Sequence, residues 1–197
     1  MNQEREFIDL LAFDPQTASE FGTPVDSIKG AILLYALPSG HLQASPLNDS
    51  LGLCNTPGNR FARQVTENSC ALMAILHLLM NEPSGLWTED PFFLKRLLEI
   101  DSPVEAGHFI SNCSELYDLH HKYAGFPEED GEVEEVLYHF VAVLQVNGKV
   151  LLFDGRRAKP VVQAAENGEN CFASICRVVD RLREDDNIEV LSALALI

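Results

Sequence analysis

The sequence contains no long apolar run and no segment that resembles a targeting signal at its start. No stretch of about 18 consecutive apolar residues occurs, so we expect no membrane-spanning helix. The opening residues, MNQEREFIDLLAF, carry acidic side chains early and lack a basic region followed by an apolar one, so they do not resemble a signal peptide. We therefore expect a protein of the cytoplasm, with the nucleus as an alternative compartment.

Paired cysteines and basic residues are also scarce. The five cysteines form no CxxC pair, and their odd number suits reduced thiols better than a disulfide framework. Lysine and arginine total 14 against 30 aspartates and glutamates, which gives a formal net charge of −16. Such a chain repels nucleic acid and anionic membranes, so neither is an expected partner. The charge either steers a basic partner toward the protein or only keeps it soluble, and composition alone favours solubility.

The common signatures of cofactor and metal chemistry are missing as well. The sequence has neither a phosphate-binding loop nor the nucleophile elbow of the serine hydrolases. His108 with Cys113, and the pair His120-His121, do not match the spacing of zinc ligands. We therefore expect no cofactor and no metal, which leaves the cysteines and the other histidines as candidates for chemistry.

The sequence does contain the periodicity of an α+β protein. We predict strands at residues 29–37, 138–146, 149–154 and 188–197. We predict helices at residues 3–12, 71–80, 88–99, 103–122 and 171–182, the last with Asn170 as its N-cap. Residues 13–28, 45–61 and 125–136 are rich in turn-forming side chains and are expected to be loops. Because we find neither a repeat nor a linker, we expect one domain over residues 1–197.

Cys70 stands where a loop meets the predicted helix 71–80. That helix is apolar on every side, so we expect it inside the core. Free backbone N–H groups and the dipole at a helix start stabilise a thiolate, which is the attacking form of cysteine. Cys70 is therefore the candidate nucleophile, although most cysteines are structural.

His139 and Asp154 are the candidates for a base and its orienting group, both of which a nucleophilic thiol needs. His139 begins the first strand of a predicted pair, and Asp154 ends the second. Asn147-Gly148 between the strands is a strong signal for a tight hairpin. In that hairpin position 139 lies opposite position 156, so Asp154 is close to His139 and on the same face. Each residue alone has a structural alternative: a hydrogen-bonded strand histidine and a turn aspartate.

Gln64 precedes Cys70 by six residues. A glutamine amide beside the backbone N–H groups of a helix start is typical of an oxyanion hole, the set of donors that stabilises a negative oxygen in the transition state. A surface glutamine is the ordinary alternative. His77 lies two turns along the same predicted helix, and we expect it to be a core residue.

The four candidates lie in two motifs that resemble those of the ubiquitin C-terminal hydrolases, cysteine proteases that cleave groups from the C-terminus of ubiquitin. Residues 61–71, FARQVTENSCA, resemble the family's active-site motif, in which glutamine precedes the catalytic cysteine by six residues. Residues 139–156, HFVAVLQVNGKVLLFDGR, resemble its second motif, in which histidine precedes aspartate by fifteen. The predicted strands follow the family's order too, so the resemblance covers nearly the whole chain. Ala71 departs from the pattern, because many members have glycine after the cysteine.

The resemblance implies a papain-like fold, with a central antiparallel sheet flanked by helices and a knotted backbone. It implies a thiol protease in which Cys70 is the nucleophile, His139 the base, Asp154 the orienting carboxylate and Gln64 the oxyanion amide. Ubiquitin or a ubiquitin-like modifier would be the partner, and we expect a monomer. A domain that binds ubiquitin without cleaving it remains the alternative.

The resemblance also places a crossover loop at about residues 117–137, over the active site. Such a loop restricts the leaving group, so the expected substrates are small or flexible adducts of the ubiquitin C-terminus. Its acidic residues are candidates for steering the arginine-bearing tail of ubiquitin, or they only keep the loop solvated. These residues are Glu128, Glu129, Asp130, Glu132, Glu134 and Glu135.

Overall fold

Helices and strands occur partly in successive runs of one kind in a computed structural model that describes residues 6–37, 59–81, 92–123, 138–163, 169–186, 188 and 190–197. The strands are β1 (Phe7–Asp9), β2 (Gly30–Ala36), β3 (Tyr138–Val146), β4 (Lys149–Phe153), β5 (Val161–Gln163) and β6 (Val190–Leu196). The helices are α1 (Pro15–Glu20), α2 (Cys70–Asn81), α3 (Phe92–Leu98), α4 (Pro103–Ser111), α5 (Ser114–Tyr123) and α6 (Cys171–Asp186). A 3-10 turn at Val25–Ser27 precedes β2. The α+β class predicted from the sequence is confirmed.

The six strands form one sheet in the order β1-β6-β2-β3-β4-β5, and every neighbouring pair is antiparallel. Helix α6 packs on one face of this sheet, where its apolar side chains join those of β2, β3 and β6. Helix α2 packs on the other face, against β2, β3 and β4. A third apolar cluster joins α2 to α3 and α4. The antiparallel sheet flanked by helices is therefore confirmed, whereas the knot stays a prediction.

The central strand β2 shows how the sequence pattern produces these layers. Ala31, Leu33 and Tyr35 are fully buried on the side of α6, and Ile32 packs on the side of α2. Both faces are covered, so the strand is a nearly continuous apolar run rather than an alternating one. The strand predicted at 29–37 is confirmed, as is the last strand, which is observed as β6.

The hairpin of β3 and β4 forms as predicted. Asn147 and Gly148 both have positive φ, at 51° and 73°, as the favoured two-residue hairpin turn requires. Pairing runs from Val146 opposite Lys149 to Ala142 opposite Phe153. This register is the one that follows from a turn centred on Asn147-Gly148.

Two of the predicted helices begin and end close to their expected positions. Helix α2 spans residues 70–81 and buries seven side chains, although Ile75 is exposed, so this helix is not covered on every side. Helix α6 begins after Asn170, whose side-chain Oδ1 accepts a hydrogen bond from the Ala173 N–H at 2.9 Å. The predicted N-cap is therefore confirmed.

The N-terminal prediction was wrong. Instead of a helix at 3–12, the structure has strand β1, with Phe7 opposite Leu196 and Asp9 opposite Leu194 on β6. The unpaired edge of β6 supplies backbone partners that a local helical pattern does not reveal, so tertiary pairing overrides propensity. Residues 3–5 of that predicted helix lie outside the described residues.

Two further predictions need correction, and one strand was missed. The loop at 13–28 contains helix α1, whose start is capped by Asp14, with Oδ1 accepting from the Thr17 N–H at 2.8 Å, and carries Pro15 in its first turn. The helix at 103–122 is two helices, because Asn112 ends α4 by donating from its side chain to the His108 carbonyl at 2.7 Å. The short edge strand β5 was not predicted.

Several predictions fall partly or wholly outside the described residues. These are the loop at 45–58, residues 88–91 of a predicted helix, the acidic loop at 125–136 and the crossover loop from residue 124 onward. Within the described ranges, no helix has the length and apolar character needed to cross a bilayer.

Candidate active site

Cys70 is the first residue of α2, at the point where the chain turns into the core. Asn68 has a positive φ of 56°, which reverses the chain just before the helix. The Ser69 hydroxyl donates to the Thr66 carbonyl at 2.7 Å and closes this turn. Cys70 is held by the backbone of the helix. Its side chain is half-buried, so the thiol still has access to solvent.

The surroundings of Cys70 favour its thiolate. Burial raises the pKa of the thiol, but interaction with the His139 side chain and with the backbone N–H groups of Phe140 and Ala71 lowers it. The net result is a pKa below the ordinary value for cysteine. The opposite holds for Cys171 and Cys176 in α6, where burial raises the pKa to about 11 and about 12. Of these three cysteines, Cys70 is the one whose thiolate is favoured.

His139 and Asp154 form a buried pair. The Nε2 atom of His139 lies 2.9 Å from Oδ1 of Asp154, and both side chains are fully buried. Asp154 follows the last residue of β4, and the hairpin register brings it to the start of β3. The proximity expected from the Asn147-Gly148 hairpin is therefore observed as a direct contact.

The pKa of His139 lies above the ordinary value for histidine. Burial lowers it, but the hydrogen bond to Asp154 and the contact with Cys70 raise it, and the charge of Asp154 adds to the rise. The positive charge of Arg156 opposes this shift. Within the described structure, Nδ1 of His139 makes no hydrogen bond of standard length. Hydrogen bonds in active sites are often long or poorly aligned until the substrate is bound.

The sequence did not reveal three residues that hold this pair. The Arg156 backbone N–H donates to Oδ1 of Asp154 at 3.0 Å, and the Arg157 guanidinium lies 3.8 Å from Oδ2. Tyr35, opposite His139 on β2, meets the imidazole edge to face with ring centres 5.6 Å apart. The register of β2 against β3 would have placed Tyr35 beside His139, but no local sequence pattern shows that these two strands pair.

Gln64 lies beside the turn that carries Asp154. Its backbone N–H donates to the Gly155 carbonyl at 2.7 Å, and its side-chain Nε2 donates to the Thr66 carbonyl at 3.0 Å. A Cβ atom on Gly155 would lie only 3.0 Å from the Cβ of Gln64, so glycine permits this close approach. The two motifs of the sequence therefore meet through backbone contact.

His77 is a core residue, as predicted. It is fully buried, stacked on Phe61 with ring centres 4.9 Å apart and tilted against Phe153 at 5.4 Å. Burial lowers the pKa of His77 to about 4, against smaller opposing effects of Ala62 and Asp154, so its ring is neutral at pH 7.

Comparisons with known proteins agree with this arrangement. The profile of the family "Ubiquitin carboxyl-terminal hydrolase, family 1" matches residues 1–183. Human ubiquitin carboxyl-terminal hydrolase isozyme L1 is 24% identical over 199 aligned positions, which cover 96% of this chain and 86% of the relative. Ubiquitin carboxyl-terminal hydrolase 3 of Arabidopsis thaliana is 26% identical over 127, covering 63% of this chain and 54% of the relative.

A solved structure shares the fold. The UCH37 catalytic domain of Trichinella spiralis, crystallised with ubiquitin vinyl methyl ester, superposes with a TM-score of 0.69 at 20% sequence identity. The match covers 99% of this chain and 86% of that one. At this identity the likeness supports the fold, and the predicted papain-like class with its antiparallel sheet is confirmed.

A cysteine at a helix start, facing a buried histidine–aspartate pair on a hairpin, is the layout of the papain-like thiol hydrolases. Within that class, the match over residues 1–183 shows that this chain belongs to the ubiquitin carboxyl-terminal hydrolase family 1. The family predicted from the two motifs is thus confirmed.

Proposed function

We propose that this protein is a deubiquitinating thiol protease that hydrolyses small or flexible adducts at the C-terminal glycine of ubiquitin. The observation that carries the proposal is the 2.9 Å contact between His139 and Asp154, buried beside a cysteine whose pKa is lowered. Family membership and the ubiquitin adduct of the Trichinella relative support ubiquitin as the partner. The restriction to small adducts rests on the family resemblance.

We infer a separate task for each nitrogen of His139. A carboxylate only accepts hydrogen bonds, so the Nε2 atom that contacts Asp154 carries a proton. The neutral ring then has Nδ1 as its basic nitrogen, free to take the proton of the Cys70 thiol. Asp154 holds the ring in this tautomer and stabilises the imidazolium that forms.

The reaction proceeds through an acyl-enzyme. The Cys70 sulfur attacks the carbonyl carbon of the last glycine of ubiquitin, and the carbonyl π electrons move to its oxygen. The Gln64 amide, with one N–H on the Thr66 carbonyl, offers its second N–H to that oxyanion. The intermediate collapses as His139 protonates the leaving amine. Water, deprotonated by His139, then cleaves the thioester and regenerates Cys70.

The charge of the chain supports a ubiquitin tail as the bound segment. The formal net charge is −16, and the tail of ubiquitin carries arginines. Opposite charges raise the rate of encounter, so turnover at low substrate concentration should fall as salt is added.

An electrophilic ubiquitin probe tests the proposal directly. We expect covalent labelling of Cys70, located by peptide mass spectrometry, and no labelling of the Cys70→Ala variant. Labelling at a different cysteine, or noncovalent binding without labelling, would overturn the assignment. The same probe built on ubiquitin-like modifiers, compared by labelling rate, identifies which modifier is preferred.

A further inference from the structure

The segment that carries Gln64 is held by its neighbours rather than by secondary structure of its own. Residues 60–64, here called the glutamine segment, belong to no helix or strand. Its Arg63 N–H donates to the Pro103 carbonyl at 2.8 Å, and its Gln64 N–H donates to the Gly155 carbonyl at 2.7 Å. The start of the segment is held differently, by two side chains of α2.

Asn81, the last residue of α2, holds the backbone of Arg60 on both sides. The Arg60 N–H donates to Oδ1 of Asn81 at 2.8 Å, and Nδ2 of Asn81 donates to the Arg60 carbonyl at 2.7 Å. The same Nδ2 donates to the His77 carbonyl at 2.8 Å, so both of its hydrogens are used. The Asn81 amide thus makes the two backbone hydrogen bonds with Arg60 that a neighbouring β-strand would otherwise make. Asn81 is nearly fully buried, so water does not replace these bonds at low cost.

His77, one turn before Asn81, holds the next part of the segment. Its Nε2 lies 3.0 Å from the Ala62 carbonyl oxygen and 3.2 Å from the Ala62 nitrogen, and its ring stacks on Phe61. Residues four apart lie on the same face of a helix, so His77 and Asn81 form one contact surface for the segment.

Distances along the chain connect this surface to the site. From Cys70 to Asn81, α2 rises by about 16 Å at 1.5 Å per residue. Four residues of extended chain, from Arg60 to Gln64, reach back at most about 14 Å. Ala62 contacts His77, which lies one turn nearer to Cys70 than Asn81 does, so the segment runs from Arg60 toward the start of α2. The length of the helix therefore relates the position of the Gln64 amide to that of the thiol.

We propose that Asn81 is a positioning residue that sets the Gln64 amide relative to Cys70. The inference rests on the proposed role of Gln64 as an oxyanion donor. Truncating Asn81 removes the partners of the half-buried N–H and carbonyl of Arg60, and the segment shifts to find new ones. A shift of about 1 Å in a group near the reacting atoms is enough to reduce turnover by roughly a hundredfold.

A double-mutant cycle separates positioning from general structure. We expect Asn81→Ala to lower kcat on a fluorogenic ubiquitin substrate by about tenfold, with KM within about twofold. Gln64→Ala alone should lower kcat by about a hundredfold. In the Gln64→Ala background, Asn81→Ala should cost less than about twofold more, since the amide that it positions is gone.

Three outcomes would overturn the inference. The first is multiplicative losses in the double variant, which would give Asn81 a role independent of Gln64. The second is an unchanged kcat in Asn81→Ala. The third is an unchanged kcat in Gln64→Ala, which would remove the proposed donor as well. The first two outcomes leave the proposed function intact, so failure of this inference can be distinguished from failure of the proposed function.

A matched control excludes loss of stability as the cause. Val178→Ala truncates a buried residue of α6, on the opposite face of the sheet, and should lower the urea midpoint without changing kcat. Should Asn81→Ala fold poorly, Asn81→Asp keeps the acceptor for the Arg60 N–H and loses the donor to its carbonyl. The same cycle is then run with Asn81→Asp, and losses that multiply would again overturn the inference.

Discussion

Two histidines lie in neighbouring regions of the molecule, one beside Phe61 and Phe153 and the other beside Asp154 and Cys70. Both side chains are fully buried. The pKa of His77 is lowered to about 4, whereas the pKa of His139 is raised. Burial disfavours the charged ring in both places, so the difference comes from the partners.

The comparison separates a structural from a chemical use of the same side chain. His77 meets aromatic rings and the backbone of Ala62, which suit a neutral imidazole. His139 meets a carboxylate and a thiol, which suit a ring that gains and loses a proton. The two regions adjoin, since Phe153 and Asp154 are consecutive residues. The direct contact with Asp154 and the nearby Cys70 thiol, which His77 lacks, therefore account for the raised pKa of His139.

The largest expected effect comes from removing that charge. Asp154→Asn should lower kcat/KM on a fluorogenic ubiquitin substrate by a thousandfold or more, because the amide has no charge to stabilise the imidazolium and, with its NH2 group toward the ring, favours the other tautomer. The pKa of His139, followed by NMR titration, should fall because its main favourable partner has lost its charge. Activity within about tenfold of the wild type, in a variant with an unchanged circular dichroism spectrum, would contradict the role of Asp154.

The next effect concerns the reactivity of Cys70. His139→Gln removes the first interaction that lowers the pKa of the thiol and leaves the effect of burial, which raises it. At pH 7 the rate of alkylation of Cys70 by iodoacetamide should fall by about tenfold. Cys171 and Cys176 serve as internal controls, because their raised pKa values predict slow alkylation in both proteins. An unchanged rate at Cys70 would mean that the backbone N–H groups of Phe140 and Ala71 are enough to activate the thiol.

The two histidines should also have opposite effects on stability as the pH changes. The folded pKa of His77 lies below its unfolded value, so its region loses stability as the pH falls from about 6.5 to about 4, by up to about 3 kcal/mol. The folded pKa of His139 lies above its unfolded value. Its contribution is therefore fully present below the unfolded pKa and is lost as the pH rises through the folded pKa.

Urea unfolding of two matched variants measures this difference. His77→Gln should reduce the loss of unfolding free energy between pH 7 and pH 4.5, relative to the wild type. His139→Gln should increase that loss, because the variant lacks the stabilisation that charging His139 gives at acid pH. Equal slopes for both variants would show that the two regions respond to protons alike.

The positions of the candidate catalytic residues were easier to predict than the contacts that hold these residues in place. The contact between His139 and Asp154 followed from the hairpin register, because a two-residue turn determines which residues face each other. Cys70 followed from its place at the start of an apolar helix. Both inferences depend on residues close in sequence or on a turn with one dominant geometry.

The supporting contacts depend on distant pairings that no local pattern encodes. Asn81 meets the backbone of Arg60 across 21 residues, and Tyr35 meets His139 only because β2 pairs with β3. For the same reason, β1 was mistaken for a helix, since its partner β6 lies at the other end of the chain. The local preference of a segment for helix is overridden when the edge of a sheet supplies hydrogen-bond partners for its backbone.

The smallest expected effect comes from Arg156, whose positive charge lowers the pKa of His139. Arg156→Gln should raise that pKa and move the acid limb of the kcat/KM profile to higher pH, since His139 must be neutral to accept the thiol proton. Turnover at pH 8 should stay within about twofold, because a half-exposed charge is screened by water. Lys149→Gln removes the same charge at the far end of the hairpin and should leave the profile unchanged. An acid limb that moves equally in both variants would reflect net charge alone. One that moves only in Arg156→Gln would show that charges close to His139 adjust its pKa.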